Sequence, residues 1–158
     1  MFHILALCAG NASRSILAEA ILNRDGAGRV QAWSAGVNPA GIVNRNVLDL
    51  LHRRGALTKH LRSKNWLEFT GTGAPRLDVV LNLCPTVSGA IAPDWNGQPL
   101  SVDWHMEDPA AAPDGQADLA GQHAYHRLSV RINALLALPI ERLAIDTLSA
   151  RLTAIGEV

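Results

Sequence analysis

The sequence predicts an α/β fold in which helices cover both faces of a parallel sheet. Apolar runs typical of buried strands alternate with segments of helical periodicity along most of the chain. Of the 158 residues, 48% are hydrophobic, which is enough for one full core. We therefore expect a single domain that spans residues 1–158.

The predicted strands are short apolar runs bounded by turn-forming residues. Phe2–Leu7 comes first, and Val30–Ser34 follows the turn at Asp25–Gly28. Leu77–Cys84 and Leu100–Trp104 are the later candidates. Because helical segments separate them, these strands are expected to lie parallel in one sheet.

The predicted helices have apolar residues at helical spacing and end at helix breakers. The first begins after the loop that follows Phe2–Leu7 and stops at Asp25. The second has Val47 and Leu50 on its inner face, and Gly55 would cap it. The other predicted helical segments are 66–69, 116–137 and 140–155, the last two separated by Pro139.

Composition excludes several functional classes. The chain has 14 Lys and Arg against 14 Asp and Glu, and this zero net charge argues against a nucleic-acid or anionic-membrane partner. No apolar stretch has the length of a membrane span. Two cysteines do not make a disulfide framework and favour a reduced, cytoplasmic setting. The histidines form no metal-ligand pairs beside the cysteines, so no metal is expected.

The segment from Cys8 to Ser15 carries the strongest chemical signal. A loop between a strand and a helix can aim backbone N–H groups at one point, where they stabilise a thiolate or bind an anion. Arg14 would clamp a tetrahedral oxyanion with two donors, and the Ser15 hydroxyl could donate to the thiolate. The predicted oxyanion-binding residues are Ala9, Gly10, Asn11, Ala12, Ser13, Arg14 and Ser15. The alternative is a buried structural cysteine with Arg14 merely solvated.

Thiolate attack needs a proton donor for the leaving oxygen. Asp108 is the best candidate because its loop follows the last predicted strand, at the carboxyl edge where the Cys8 loop also lies. Glu107 competes with it, and His105 could line the site. An Asp-Pro pair also commonly shapes a turn or caps a helix, and spacing alone leaves both interpretations of Asp108 open.

Cys84 ends a predicted strand at the same edge of the sheet. It could resolve an adduct on Cys8 by thiol exchange. It could equally be a small buried hydrophobic residue, which is a frequent role of free cysteine.

Taken together, these segments resemble the low-molecular-weight protein tyrosine phosphatase superfamily, and within it the arsenate reductase branch. The loop at 8–15 is similar to the superfamily signature, and the triplet at 34–36 to the end of its second strand. Four further segments resemble the reductase branch: 61–69, 95–99, 104–111 and 138–143.

The resemblance implies a four-stranded parallel sheet with flanking helices and assigns Cys8 as nucleophile and Asp108 as general acid. Phosphatases of this superfamily form a cysteinyl-phosphate intermediate, whereas its reductases form a thiol–arsenate adduct that further thiols resolve. The implied substrate is therefore a small oxyanion, arsenate or a phosphate ester, and no cofactor is bound.

Two departures from the reductase pattern affect the electron donor. Ser13 stands where many thioredoxin-coupled members have a second cysteine, and Ala92 stands where a redox cysteine is usual. A relay through three protein thiols is therefore excluded. The resemblance then implies an external thiol of the glutathione or mycothiol type, a glutaredoxin-type reductant, or Cys84 as sole resolver.

Two alternatives remain at this point. A phosphatase would use the same residues and water in place of a thiol, but Ala110–Ala112 supply no aromatic wall for a phosphotyrosine ring. A non-catalytic oxyanion-binding module would keep the loop without its redox partners.

Overall fold

Four strands form one parallel sheet in the computed structural model, which describes residues 1–158. In chain order the strands are β1 (Phe2–Cys8), β2 (Val30–Gly36), β3 (Val79–Asn82) and β4 (Leu100–Asp103), and their spatial order is β2-β1-β3-β4. The interior strand β1 is buried at every position from Ile4 to Cys8, because both faces of the sheet are covered. The predicted α/β fold is confirmed.

Five helices and two 3₁₀ turns connect and flank the strands. The helices are α1 (Arg14–Asp25), α2 (Arg45–Arg53), α3 (Pro85–Ser88), α4 (Ala117–Leu136) and α5 (Ile145–Gly156). The 3₁₀ turns are Trp66–Phe69 and Pro109–Ala111. No helix combines the length and the apolar character that crossing a membrane would require.

The observed elements differ from the predicted ones mainly at their ends. β3 is shorter than the predicted Leu77–Cys84 run, because Cys84 already caps α3, which starts at Pro85 and was not predicted. The terminal helix begins at Ile145 rather than at residue 140. The intervening turn is held by Arg29, which donates to the carbonyls of Leu136 and Leu138.

The core lies on both faces of the sheet, between the strands and the helices that cover them. α4 buries Leu128 and Ile132 completely. α5 packs on β4 and buries Leu152 completely beside the equally buried Trp104. The carboxyl ends of the four strands meet at one edge of this core, where the Cys8 loop and the loop after β4 emerge.

Candidate active site

Backbone hydrogen bonds from the segment after β2 fix the conformation of the loop between β1 and α1. The N–H groups of Asn38, Ala40 and Asn44 donate to the carbonyls of Ala9, Gly10 and Ala12, each at 2.9 Å. The carbonyl and the N–H of a trans peptide point in opposite directions. These bonds therefore turn the next N–H groups, those of Gly10, Asn11 and Ser13, toward the inside of the loop, where they can meet an anion.

Gly36, at the end of β2, lets that strand approach the loop closely. A Cβ added at this position would lie 2.6 Å from the carbonyl oxygen of Ala9 and 3.0 Å from the N atom of Asn11. Only a residue without a side chain fits such an approach.

Asn11 fixes the conformation of the loop through its backbone and its side chain. It is the only non-glycine residue with positive φ, at 47°, a region that asparagine tolerates better than most residues. Its amide nitrogen donates to the hydroxyls of Ser15 at 2.8 Å and Ser34 at 3.0 Å. Its amide oxygen accepts the N–H of Lys64 at 2.9 Å. One fully buried side chain thus joins three segments of the chain.

The thiol of Cys8 contacts the Ser15 hydroxyl, with Sγ and Oγ 2.9 Å apart. Because the Ser15 oxygen already accepts from Asn11, its own proton is available to the sulfur. Such a bond stabilises a negatively charged sulfur. Cys8 and Ser15 are both buried.

Ser13 leaves its hydroxyl without a partner. The side chain is buried, and its Oγ makes no hydrogen bond, although Ser13 stands at the N-cap of α1. An unsatisfied buried hydroxyl is uncommon and points to a missing partner. The oxygen of a bound oxyanion would supply one.

A buried ion pair lies behind the loop. Glu19 on α1 accepts from the Ser34 hydroxyl at 2.8 Å, and its carboxylate lies 3.6 Å from the Lys64 ammonium and 3.5 Å from the His60 ring. Burial lowers the pKa of Lys64, and the Glu19 carboxylate opposes that shift. The hydrogen bonds therefore run without interruption from Glu19 through Ser34, Asn11 and Ser15 to Cys8.

Arg14 and Asp108 face each other across the mouth of the loop. The guanidinium of Arg14 lies 3.7 Å from one carboxylate oxygen of Asp108 and donates to the carbonyl of Met106 at 3.2 Å. The other oxygen of Asp108 accepts the N–H of Ala110 at 3.0 Å. Asp108 therefore caps the turn at Pro109 and also lies beside Arg14. The structure thus contains the contacts expected for a capping residue and for a residue of the site.

The competing residues of the same loop lie elsewhere. Glu107 is exposed and makes no ion pair. The His105 ring contacts the Ser88 hydroxyl at 2.8 Å and lies 3.8 Å from Asp103, so it does not reach Asp108. Of the carboxylates proposed from sequence, only Asp108 is brought to Arg14.

Cys84 is buried at the N-terminus of α3, with 3% of its surface exposed. It follows β3, whose neighbour β1 ends at Cys8, and both thiols are free. A resolving role would require Cys84 to become exposed, so this geometry agrees better with the packing interpretation.

A groove of about 1100 Å³ lies between the Asp108 loop and α4; Asp108 lines it, and no residue of the 8–15 loop does. Ala111 and Ala112 line it, and no Phe, Tyr or Trp side chain does. The only tyrosine, Tyr125, is buried under the guanidinium of Arg54, 4.8 Å from the ring centroid. The expected absence of an aromatic wall next to Asp108 is thus observed at this groove.

Sequence reasoning missed the Glu19–Lys64 pair. A glutamate four residues after Ser15 on an otherwise apolar face of α1 was a usable signal, because a buried carboxylate needs a partner. Lys64 lies 45 residues further along the chain, and nothing local marks it as that partner.

The amino-acid sequence is similar to that of a known protein family and of one of its relatives. A family model described as low molecular weight phosphotyrosine protein phosphatase matches residues 3–137. The glutaredoxin arsenate reductase of Synechocystis sp. is 26% identical over 137 residues, which cover 87% of this chain and 98% of the relative.

The solved structures that this chain resembles include arsenate reductases. An arsenate reductase in its phosphate-binding state has a TM-score of 0.69 and 26% identity, over 87% of this chain and 98% of the other. A thioredoxin-dependent arsenate reductase of Corynebacterium glutamicum has a TM-score of 0.63 and 25% identity, over 85% of this chain and 60% of the other.

Proposed function

Because the chain belongs to the low molecular weight phosphotyrosine protein phosphatase family and is arsenate reductase-like within it, we propose that it reduces arsenate with an external thiol. The contact of 2.9 Å between Cys8 Sγ and Ser15 Oγ carries the proposal, because a Cys8 thiolate would accept the hydroxyl proton there and be stabilised inside an anion-binding loop. The inward N–H groups and the unpartnered Ser13 hydroxyl support it.

In the first step the Cys8 thiolate attacks arsenic, and a sulfur–arsenic bond forms. Arg14 and the loop N–H groups hold the three remaining oxygens. The arsenic–oxygen bond opposite the sulfur breaks, and Asp108 donates the proton with which that oxygen leaves as water. This step changes no oxidation state.

In the second step an external thiolate attacks the sulfur of Cys8. The electron pair of the sulfur–arsenic bond goes to arsenic, which leaves as arsenite, and Cys8 is left in a mixed disulfide. A second thiol then releases Cys8 and forms the external disulfide. Two external thiols thus supply the two electrons, and a glutathione, mycothiol or glutaredoxin-type donor meets this requirement, acting in a reduced cytoplasmic setting.

The test is arsenite formation from arsenate by the purified protein with glutathione as the only reductant. Cys8→Ser serves as the inactive control, and Cys84→Ser asks whether the second thiol takes part. We expect arsenite that depends on Cys8 and persists in Cys84→Ser. Loss of arsenite in Cys84→Ser would instead make Cys84 the resolving thiol.

A second function uses the same residues. With water in place of the thiol, the loop would hydrolyse phosphate monoesters through a cysteinyl phosphate, as the name of the family implies. If neither glutathione nor mycothiol, with or without a glutaredoxin, yields arsenite, the proposed reduction is wrong. Release of phosphate from an aryl phosphate in thiol-free buffer would then identify a phosphatase.

A further inference from the structure

Arg131 on α4 is a buried cation without an Asp or Glu partner. Its side chain is 2% exposed, and all its hydrogen bonds go to main-chain oxygens. Burial lowers the pKa of this guanidinium, and the charge of Arg127 adds to that shift. A buried charge is costly unless its surroundings compensate it. The main-chain oxygens that accept its hydrogen bonds provide this compensation, and they show which parts of the chain Arg131 connects to α4.

The carbonyls belong to two separate elements. Arg131 donates to Gly156 at 2.9 Å and to Val158 at 3.1 Å, at the negative end of the α5 dipole. It also donates to Trp104 at 3.0 Å and to His105 at 3.3 Å, just after β4. One side chain of α4 therefore fastens the end of α5 to the start of the segment that leads to Asp108.

That segment is held again at its next residue. The N–H of Met106 donates to the carbonyl of Leu83 at 3.1 Å, and its carbonyl accepts from Arg14 at 3.2 Å. The backbone between β4 and Asp108 is thus fixed by Arg131 on one side and by the active-site loop on the other. The distance between Asp108 and Arg14 depends on both attachments.

α5 fits closely against the same segment. The indole N–H of the fully buried Trp104 donates to the carbonyl of Leu152 at 2.9 Å. A Cβ added at Gly156 would lie 2.6 Å from the carbonyl oxygen of Asp103 and 2.6 Å from Cδ1 of Trp104. The helix begins beyond residue 137, the last that the family model matches.

We propose that Arg131 is a positioning residue that joins α5 to the Asp108 loop and thereby holds Asp108 opposite Arg14. The inference rests on the proposed role of Asp108 as proton donor. Arg131 touches neither the oxyanion nor Cys8, so its loss should disturb the proton donor and leave the anion-binding loop intact.

The first test measures amide hydrogen exchange in the full chain. In Arg131→Met we expect faster exchange at residues 105–111, with residues 8–15 unchanged and the dissociation constant of inorganic phosphate within twofold of the wild type. Arg151→Met is the matched control, because Arg151 on α5 is exposed and makes neither an ion pair nor a side-chain hydrogen bond.

Unchanged exchange at residues 105–111 would overturn the proposal, as would an equal increase throughout the chain. If Arg131→Met does not fold, Arg131→Lys and Gly156→Ala replace it. Lysine keeps the charge but cannot reach both sets of carbonyls with a planar fork, and the alanine Cβ displaces α5 from Trp104. The same pattern of exchange is expected for both.

The second test is a double-mutant cycle on whichever substrate the wild type converts, arsenate or an aryl phosphate. Arg131→Met is expected to lower kcat on the order of tenfold, because small displacements of a reacting group are costly. In an Asp108→Asn background the same change should have almost no effect. Two losses that multiply would overturn the proposal. If Asp108→Asn alone has no effect, the proposed role of Asp108 as proton donor fails, and hydrogen exchange still decides the role of Arg131.

Discussion

Ser15 links Cys8 to Asn11: its oxygen accepts from the Asn11 amide nitrogen, and its proton can be donated to the sulfur when Cys8 is a thiolate. Removing the hydroxyl takes away the one side-chain donor to the sulfur. We expect Ser15→Ala to slow alkylation of Cys8 by iodoacetamide about tenfold at neutral pH. This factor corresponds to the free energy that a hydrogen bond to a charged group usually contributes.

Ser129→Ala is the matched control for that experiment. The hydroxyl oxygen of Ser129 on α4 is also buried, but it has no hydrogen-bond partner. Its alkylation rate should equal that of the wild type. Equal rates in the two variants would mean that Ser15 does not stabilise the thiolate.

Gly36 sets how closely β2 approaches the loop. A methyl group at this position cannot coexist with the Ala9 carbonyl at 2.6 Å, so the loop must shift. We expect Gly36→Ala to weaken phosphate binding at least tenfold, since the loop N–H groups would no longer converge. Gly73→Ala, in open space, should bind phosphate as the wild type does, and binding by Gly36→Ala at wild-type strength would contradict the role assigned to the glycine.

At the scale of elements, α1 connects the reactive loop to the interior. Its first turn carries Ser15 and its second carries Glu19, which lies against Lys64. Glu19→Gln leaves the Lys64 ammonium buried without its counter-charge. We expect the free energy of unfolding to fall by about 2 kcal/mol, below the usual range for a broken buried pair because Lys64 also donates to the carbonyl of Arg62.

Urea unfolding of the single variant and of Glu19→Gln/Lys64→Met measures this coupling. The double variant should recover part of the lost stability, because no uncompensated charge remains. If the double variant is less stable than Glu19→Gln by the full cost of Lys64→Met alone, the two residues are not coupled.

The same helix shows what the sequence could and could not predict. Its apolar spacing and the Cys8-to-Arg14 interval are local patterns, and local patterns predicted β1, the loop and α1. The pairing of Glu19 with Lys64 arises only when the segment before the 3₁₀ turn at Trp66–Phe69 folds onto α1, so it has no local signature.

Element ends were predicted less well for a physical reason. The apolar run at Leu77–Cys84 continues past β3 because core residues follow the strand, and Leu83 is buried although it lies outside it. The turn before α5 depends on Arg29, which is more than a hundred residues away from the carbonyls it binds. Hydrophobicity records burial, whereas such ends depend on contacts distant in sequence.

At the scale of the whole molecule, stability should depend on pH through carboxylates held in their charged form. Arg29 lowers the pKa of Glu141 from 4.5 to about 2. Hydrogen bonds from Ser88 and Asn82 lower the pKa of Asp103. Lys64 has its effect at alkaline pH, because its pKa is lower in the folded state than in the unfolded chain. As pH rises toward 10.5 the unfolded chain binds more protons than the folded one, so stability increases.

For a carboxylate whose pKa is lower in the folded state, the unfolded chain binds more protons in acid, so the stabilisation is complete above the unfolded pKa and disappears as pH falls through the folded value. We therefore expect the free energy of unfolding to fall between pH 4.5 and about 2. The Glu141 part should shrink in 1 M salt, because its ion pair with Arg29 is exposed and screened.

Most of the Asp103 part should persist in salt, because its main partners Ser88 and Asn82 are neutral and only the smaller charge interaction with His105 is screened; Ser88→Ala should reduce this part. Urea titrations from pH 2 to 7, at low and high salt, separate the two parts. An acid-induced loss that salt abolishes completely in the wild type would mean that Asp103 contributes nothing. A loss that salt leaves unchanged would mean that the Arg29–Glu141 pair does not hold the turn before α5 in solution.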